Sequence, residues 1–561
     1  MSDEVAAAES GTQPAAAGRS RGILGSSAVI ASGTLVSRVL GFVSLVVLAQ
    51  TIGSLGTGAN TFALANQLPN NIAIIIAAGL FNAVFVPAIV RAGLHDDGGA
   101  RFINRLVTLG IAVFLVIGVA ATLAAPALVS LYADLAPGDR GFSDQDLALA
   151  TAFAYWCLPQ VLFYALYSLL GEVLNARGVF GPFSWAPAIN NVVVIGGLVA
   201  FTLLFGGDVS ALGATGWTPA MIALLAGSAT LGVAAQAFIL CFFWRRAGLR
   251  YRPDFRWKGA GLGTAGKAAA WTFAMITVTQ IAGIVQTNVA SLAAGGDADD
   301  PSLAILRNSF LIYMLPHSIA AIPITTAYFT RMSGLARDEK WEDLRRDVRN
   351  ALLAIGSIVL FSSIGFMVLA FPFSALFMQP EDVALMAWVL IAFLAGLLPL
   401  SVHYVLRRVF YAQEDTRTPF LVTVFQAGLF IIGALFVALL PGQYIALGIA
   451  ALTTVVAGLQ AGLAFLLVRR RIGGLDSGLI VRRHLVFLGA SVPAAGVGLL
   501  IVWALGAFDT GFGVSSIPGA LVTLAAAGSA MVAVYGGTLL LVRNPEAHAL
   551  AAPVLRRLRR R

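Results

Sequence analysis

Residues 34–69 read TLVSRVLGFVSLVVLAQTIGSLGTGANTFALANQLP. The apolar run is long enough to cross a bilayer, which takes about 20 residues. Yet Arg38 lies well inside it, beside Ser37 and just ahead of Gly41. The chain then turns through an uncharged loop and re-enters apolar sequence carrying Asn60, Asn66, Pro69, Asn70 and Asn71. A cation within a span is costly unless it faces protein or water, so such a residue marks function by default. The stretch therefore reads as the first wall of a polar cavity inside a membrane bundle.

Composition agrees. Of 561 residues, 58% are hydrophobic and 11% charged, where a soluble domain carries about 25% charged residues. The net charge of +9 does not point to nucleic acid, because the basic residues cluster in short loops between apolar runs, as membrane orientation requires. The two cysteines, Cys157 and Cys241, both fall in apolar runs, which argues against a disulfide framework. No phosphate-binding loop, metal-ligand cluster or nucleophile with a base is present in the sequence. An enzyme is disfavoured, and neither a cofactor nor a metal is expected.

Apolar runs bounded by charge or turn residues predict an all-α polytopic membrane protein with about fourteen transmembrane helices, at 27–52, 60–91, 103–131, 148–175, 182–206, 218–244, 268–293, 303–331, 348–374, 384–412, 418–440, 443–468, 484–506 and 517–542. The loops support that count. One set holds Arg91, Arg177, Arg245, Lys258, Arg331, Arg349, Arg417, Arg469 and Arg483; the alternating set holds Asp134, Asp208, Asp297, Asp299, Glu381 and Asp509. The positive-inside rule puts the basic loops and both termini in the cytoplasm. Residues 333–349, of mixed charge at helical spacing, are expected to form a short amphipathic surface helix.

A weak internal repeat links LPNNIAI at 68–74 to LPHSIAAI at 315–322, six spans apart. Since six is even, the two six-helix lobes would share one orientation. The expected division is a disordered cytoplasmic tail at 1–26, a first lobe at 27–245, a second lobe at 246–480, an added helix pair at 481–545 and a basic tail at 546–561. Pro69 and Pro316, matched between lobes, with Gly41, are the expected hinges.

SRVLGF at 37–42, ANQLPN at 65–70, FVPAI at 85–89, WAPAINNVV at 185–193, MLPHSI at 314–319 and RVFYAQEDTRTP at 408–419 together resemble the MurJ/MviN family of lipid II flippases, within the MATE-like MOP exporter superfamily. The resemblance keeps its order over about residues 27–545. It implies two lobes and a C-terminal pair forming a groove for a lipid tail, in a multi-pass bacterial cell membrane protein. The implied substrate is the lipid-linked disaccharide pentapeptide on its undecaprenyl pyrophosphate carrier, moved between leaflets by alternating access. Membrane lipids are further implied partners, and proteins of cell-wall synthesis or division are candidate ones.

The chain departs from the family pattern at charged positions. Ser44 stands where many members carry a second arginine, Asn60 and Ala78 where they carry acids, Ala73 near a basic position and Leu311 where an arginine is usual. Arg307, one turn before Leu311, is the candidate replacement. The substrate-binding set is therefore Arg38, Ser37, Asn60, Asn66, Asn70 and Arg307, with Arg38 favoured because a planar guanidinium matches phosphate oxygens. Bland alternatives are snorkelling for Arg307, interhelical bonding for the amides, including Asn190 and Asn191, and pairing with Arg177 or water for Glu172, whose functional alternative is proton coupling. Alternative functions are a MATE-like exporter of drugs or other lipid-linked saccharides, and a non-transporting scaffold for cell-wall synthesis.

Overall fold

The computed structural model describes residues 15–76, 100–133, 141–177, 179, 181–206, 209–256, 267–294 and 300–543. Where lipid offers backbone groups no partner, a helix satisfies them within one segment. Among the described residues the regular structure is helical, with no strand.

The first lobe comprises α1 (Ala15–Ile52), α2 (Gly56–Ile76), α3 (Ala100–Leu123), α4 (Ala125–Ala133), α5 (Asp144–Cys157), α6 (Gln160–Ala176), α7 (Gly181–Phe205) and α8 (Pro219–Trp244). Within it α7 packs on α1 and α8, α8 on α5 and α6, α2 on α5, and α3 on α6. Its centre is aromatic: Phe153 meets Phe62 and Trp217 edge to face, with centroids 5.5 and 5.3 Å apart.

The second lobe begins with α9 (Lys267–Ser291), α10 (Leu303–Pro316), α11 (Ile322–Arg337) and α12 (Trp341–Val368). It continues with α13 (Ala370–Ser374), α14 (Val383–Leu394), α15 (Leu397–Ala412), α16 (Arg417–Val437) and α17 (Gly442–Arg471). Here α12 packs on α11 and α15, α10 on α14, α16 on α9, and α17 on α15 and α16. The final pair, α18 (Ser477–Ala504) and α19 (Ile517–Leu541), packs together and holds to α12. Tyr535 Oη donates to the Ser357 carbonyl at 2.6 Å while its ring stacks on Phe361.

Thirteen helical segments among the described residues are long and apolar enough to cross a membrane. They correspond one to one with the expected spans except the second. That span is carried by α2 as far as Ile76, and its remainder lies outside the described residues. Three segments are interrupted where the sequence cannot sustain the helical ladder. Pro159 follows the end of α5, Gly396 separates α14 from α15, and Pro316 leads into a wide π turn, His317–Ala321, before α11. Proline lacks the N–H a helix needs and clashes with the turn before it, so breaks there are expected. Pro69, the expected counterpart of Pro316, stays within α2.

Two expectations are corrected. Residues 15–26, assigned to a disordered tail, are helical and form the start of α1; the following span supplies the nucleus, which outweighs the low helix propensity of Gly18, Gly22 and Gly25. Residues 333–349 are not a separate surface helix. Instead α11 runs on to Arg337, Glu339 turns the chain with φ 56°, and α12 starts at Trp341. The sequence periodicity is genuine, but Leu344 and Val348 are buried in the bundle, and Arg331 reaches Asp347 at 2.9 Å across the corner. Burying that face outweighs solvating it.

Candidate functional site

Between the lobes lies a cavity of about 580 Å³. From the first lobe α1 contributes Arg38, Gly41, Ser44 and Leu48, α2 Phe62 and Asn66, α6 Gln160 and Tyr164, α7 Asn190 and Asn191, and α8 Ser228. The second lobe contributes Arg307, Leu311 and Met314 from α10 and Ser318 from the π turn. Among the described residues the lining holds two guanidinium groups and no carboxylate.

Arg38 reaches across to the second lobe, donating through Nη1 to Ser318 Oγ. Ser318 Oγ donates in turn to the Leu315 carbonyl at 2.9 Å, so its oxygen is turned toward the arginine. Arg38 also lines a second cleft of about 620 Å³ with Thr34, Ser37, Tyr167, Asn175 and Phe183. It thus stands at the junction of two spaces. Ser37 is in the second cleft only; its hydroxyl donates to the Ser184 carbonyl at 3.3 Å.

Arg307 points into the cavity instead of snorkelling out of the bundle. It makes no hydrogen bond or ion pair with a described residue. A guanidinium held without a counterion in an apolar bundle is the arrangement expected of a site that receives an anion.

The amides divide by role. Asn66 lines the cavity, its Oδ1 accepting from Gln160 Nε2 at 3.3 Å. Asn60 does not line it: its buried Oδ1 accepts from the Ala304 N–H at 3.1 Å, capping the start of α10 and tying α2 to the second lobe. Asn70 is exposed and also outside the lining. Asn191 is a packing amide, donating to the Ser37 carbonyl at 2.9 Å, and it sits where a Cβ on Gly41 would meet its Nδ2 at 3.4 Å. Asn190 differs, since its Oδ1 is buried without a partner beside the cavity. Glu172 makes no ion pair with a described residue.

Gln160, Tyr164 and Ser318 were not anticipated. The MLPHSI motif contains Ser318, but nothing in its spacing distinguishes the serine from a packing hydroxyl. Gln160 sits directly after a helix-breaking proline, which was the available signal. Of the departures noted above, Ser44 and Leu311 line the cavity. Ala78 lies outside the described residues.

Away from the cavity the lobes are pinned where α1 gives way to α2. Gln50 Nε2 donates to the Leu376 carbonyl at 3.2 Å, Ser54 Oγ to the Phe377 carbonyl at 2.9 Å, and Asn308 Nδ2 to Ser54 Oγ at 3.2 Å. Phe42 and Phe377 meet edge to face between these bonds and Arg38.

Two helical lobes around a cationic cavity, pinned by a few neutral bonds at one end, define a membrane transporter of the alternating-access class. The family model for lipid II flippase MurJ matches residues 48–523, and the chain belongs to that family. The protein of Vibrio cholerae named Probable lipid II flippase MurJ is 28% identical over 412 residues, spanning 71% of this chain and 74% of that protein. The like-named protein of Rhizobium meliloti is 25% identical over 489 residues, spanning 85% and 86%. A solved structure of lipid II flippase MurJ in an inward closed conformation superposes with a TM-score of 0.69 at 18% identity, covering 94% of this chain and 99% of that one. An inward-facing multidrug resistance MATE transporter shares the fold with a TM-score of 0.60 at 16% identity, covering 78% and 94%.

Proposed function

We propose that this protein carries the head group of lipid II across the bilayer by alternating access, with Arg38 and Arg307 receiving the pyrophosphate. The supporting observation is the cavity itself: among the described residues its lining holds two guanidinium groups, from opposite lobes, and no carboxylate. Pyrophosphate and sugar cannot enter hydrocarbon without compensating charges and hydrogen bonds, whereas an isoprenoid tail can remain in lipid. An apolar groove of about 310 Å³, lined by Leu352, Leu398, Phe465, Val481 and Leu488, lies between the second lobe and α18 and suits that tail.

In this reading the basic loops and both termini face the cytoplasm, and the bonds from Gln50 and Ser54 close the outer end. Residues 27–245 rock against 246–480, with 481–545 as an added unit; Gly41, Pro69 and Pro316 absorb the bending. Outward transfer of negative charge is favoured by an inside-negative potential, by about 2.3 kcal/mol per charge per 100 mV, so a dedicated ion-coupling site is not required.

The test is rescue of bacteria depleted of their own flippase, with lipid II exposure on the outer leaflet measured in the same cells. Wild-type protein should restore both. Failure of correctly inserted wild-type protein to restore outer-leaflet lipid II would overturn the assignment.

A further inference from the structure

The hydrogen-bond chain behind Asn66 has a fixed direction. The break at Pro159 separates α5 from α6 and leaves the Trp156 carbonyl to a side chain, and Thr230 Oγ1 donates to it at 2.6 Å. A carbonyl only accepts, and a hydroxyl has a single hydrogen. Thr230 Oγ1 therefore faces Gln160 as an acceptor, and Gln160 must meet it with its amide nitrogen, at 3.0 Å. The other hydrogen on that nitrogen goes to Asn66 at 3.3 Å, so Asn66 must present its oxygen to Gln160. Its Nδ2 is then left without a protein partner among the described residues, on a side chain that lines the cavity.

We propose that Gln160 is a positioning residue: through this relay it holds the Asn66 amide with its N–H donors toward the cavity, where they receive phosphate or sugar oxygens of the cargo. The inference rests on the transport function proposed above. Gln160 is 1% exposed and both hydrogens of its amide nitrogen are engaged, so it sets orientation without needing to touch the cargo. Without it the Asn66 amide is free to turn over and show an anion its carbonyl instead.

A double-mutant cycle on the full-length protein tests this, because two residues acting through one interaction give non-additive effects. Lipid II binding would be measured for wild type, Gln160→Met, Asn66→Leu and the double variant, all uncharged at these positions. About a tenfold loss is expected for each single variant, with no further loss in the double. The same cycle read on the thermal midpoint of ligand-free protein should also be non-additive. Thr230→Val, which removes the anchor without touching either amide, should weaken binding in the same direction and serves if Gln160→Met does not fold. Additive losses, or a full effect of Gln160→Met in the Asn66→Leu background, would overturn the relay. Absence of lipid II binding by wild type alongside a coupled thermal cycle would instead overturn the assigned cargo and leave the relay standing.

Discussion

The Arg38 guanidinium, in the first lobe, donates to the Ser318 hydroxyl, 280 residues further along the chain in the second. One cavity-lining cation thereby reports directly on the distance between lobes. A guanidinium has several N–H donors in a fixed plane, so engaging Ser318 leaves others for a ligand.

Replacing Arg38 should separate these duties. Arg38→Ala is expected to abolish rescue of flippase-depleted cells while the protein still reaches the membrane. Ser318→Ala, which removes only the bridging acceptor, should retain lipid II binding within a few-fold. Normal rescue by Arg38→Ala would remove this residue from the site.

The neutral bonds from Gln50 and Ser54 to the Leu376 and Phe377 carbonyls should hold one end of the cavity shut. Each net bond contributes about 1 kcal/mol, so Gln50→Leu combined with Ser54→Ala should shift the conformational balance by more than tenfold. The measurement is labelling of a cavity cysteine, Leu45→Cys, by a membrane-impermeant thiol reagent added outside. Unchanged labelling would show that the latch lies elsewhere.

Close packing in the first lobe predicts a stability effect remote from the cavity's polar groups. A Cβ on Gly58 would lie 2.7 Å from Trp217 Cε2, against a ring that is itself buried. Gly58→Ala should therefore destabilise by about 2 kcal/mol, the cost of overpacking a filled core, and lower the thermal midpoint in detergent. A midpoint equal to wild type would mean that the Trp217 ring moves aside freely.

The loop after α8 gives a pH prediction. A hydrogen bond from Arg105 Nε at 2.9 Å is the foremost cause holding the Asp254 carboxyl below its usual range, followed by one from the Arg256 N–H. A carboxylate whose folded value is depressed adds stability that is present above its unfolded value, about 3.9, and is lost as pH falls through the folded value. Asp254→Asn should thus lower the midpoint slightly at neutral pH, with the difference from wild type beginning to shrink below about pH 4 and vanishing only once pH is below the folded value. A constant difference across that range would assign the effect to the loop's other bonds, such as Asp254 N–H to Thr108 Oγ1 at 3.1 Å.

The sequence by itself determined the membrane class, the number and order of spans, and the cavity position of Arg38. Hydrophobic length and loop charge act locally against the bilayer, so both are readable along the chain. Tertiary structure alone decided which polar groups share the cavity. Arg307 is near the start of its span, where snorkelling and cavity lining look alike in sequence; packing of α10 against α2 turns it inward. Asn60 and Asn66 sit on the same helix, yet one caps α10 and the other faces the cavity, because helical spacing fixes relative faces but not what each face meets. The stretch at 34–69 announced a polar wall; only the approach of α6, α7 and α10 supplied Gln160, Asn190 and Arg307 to complete it.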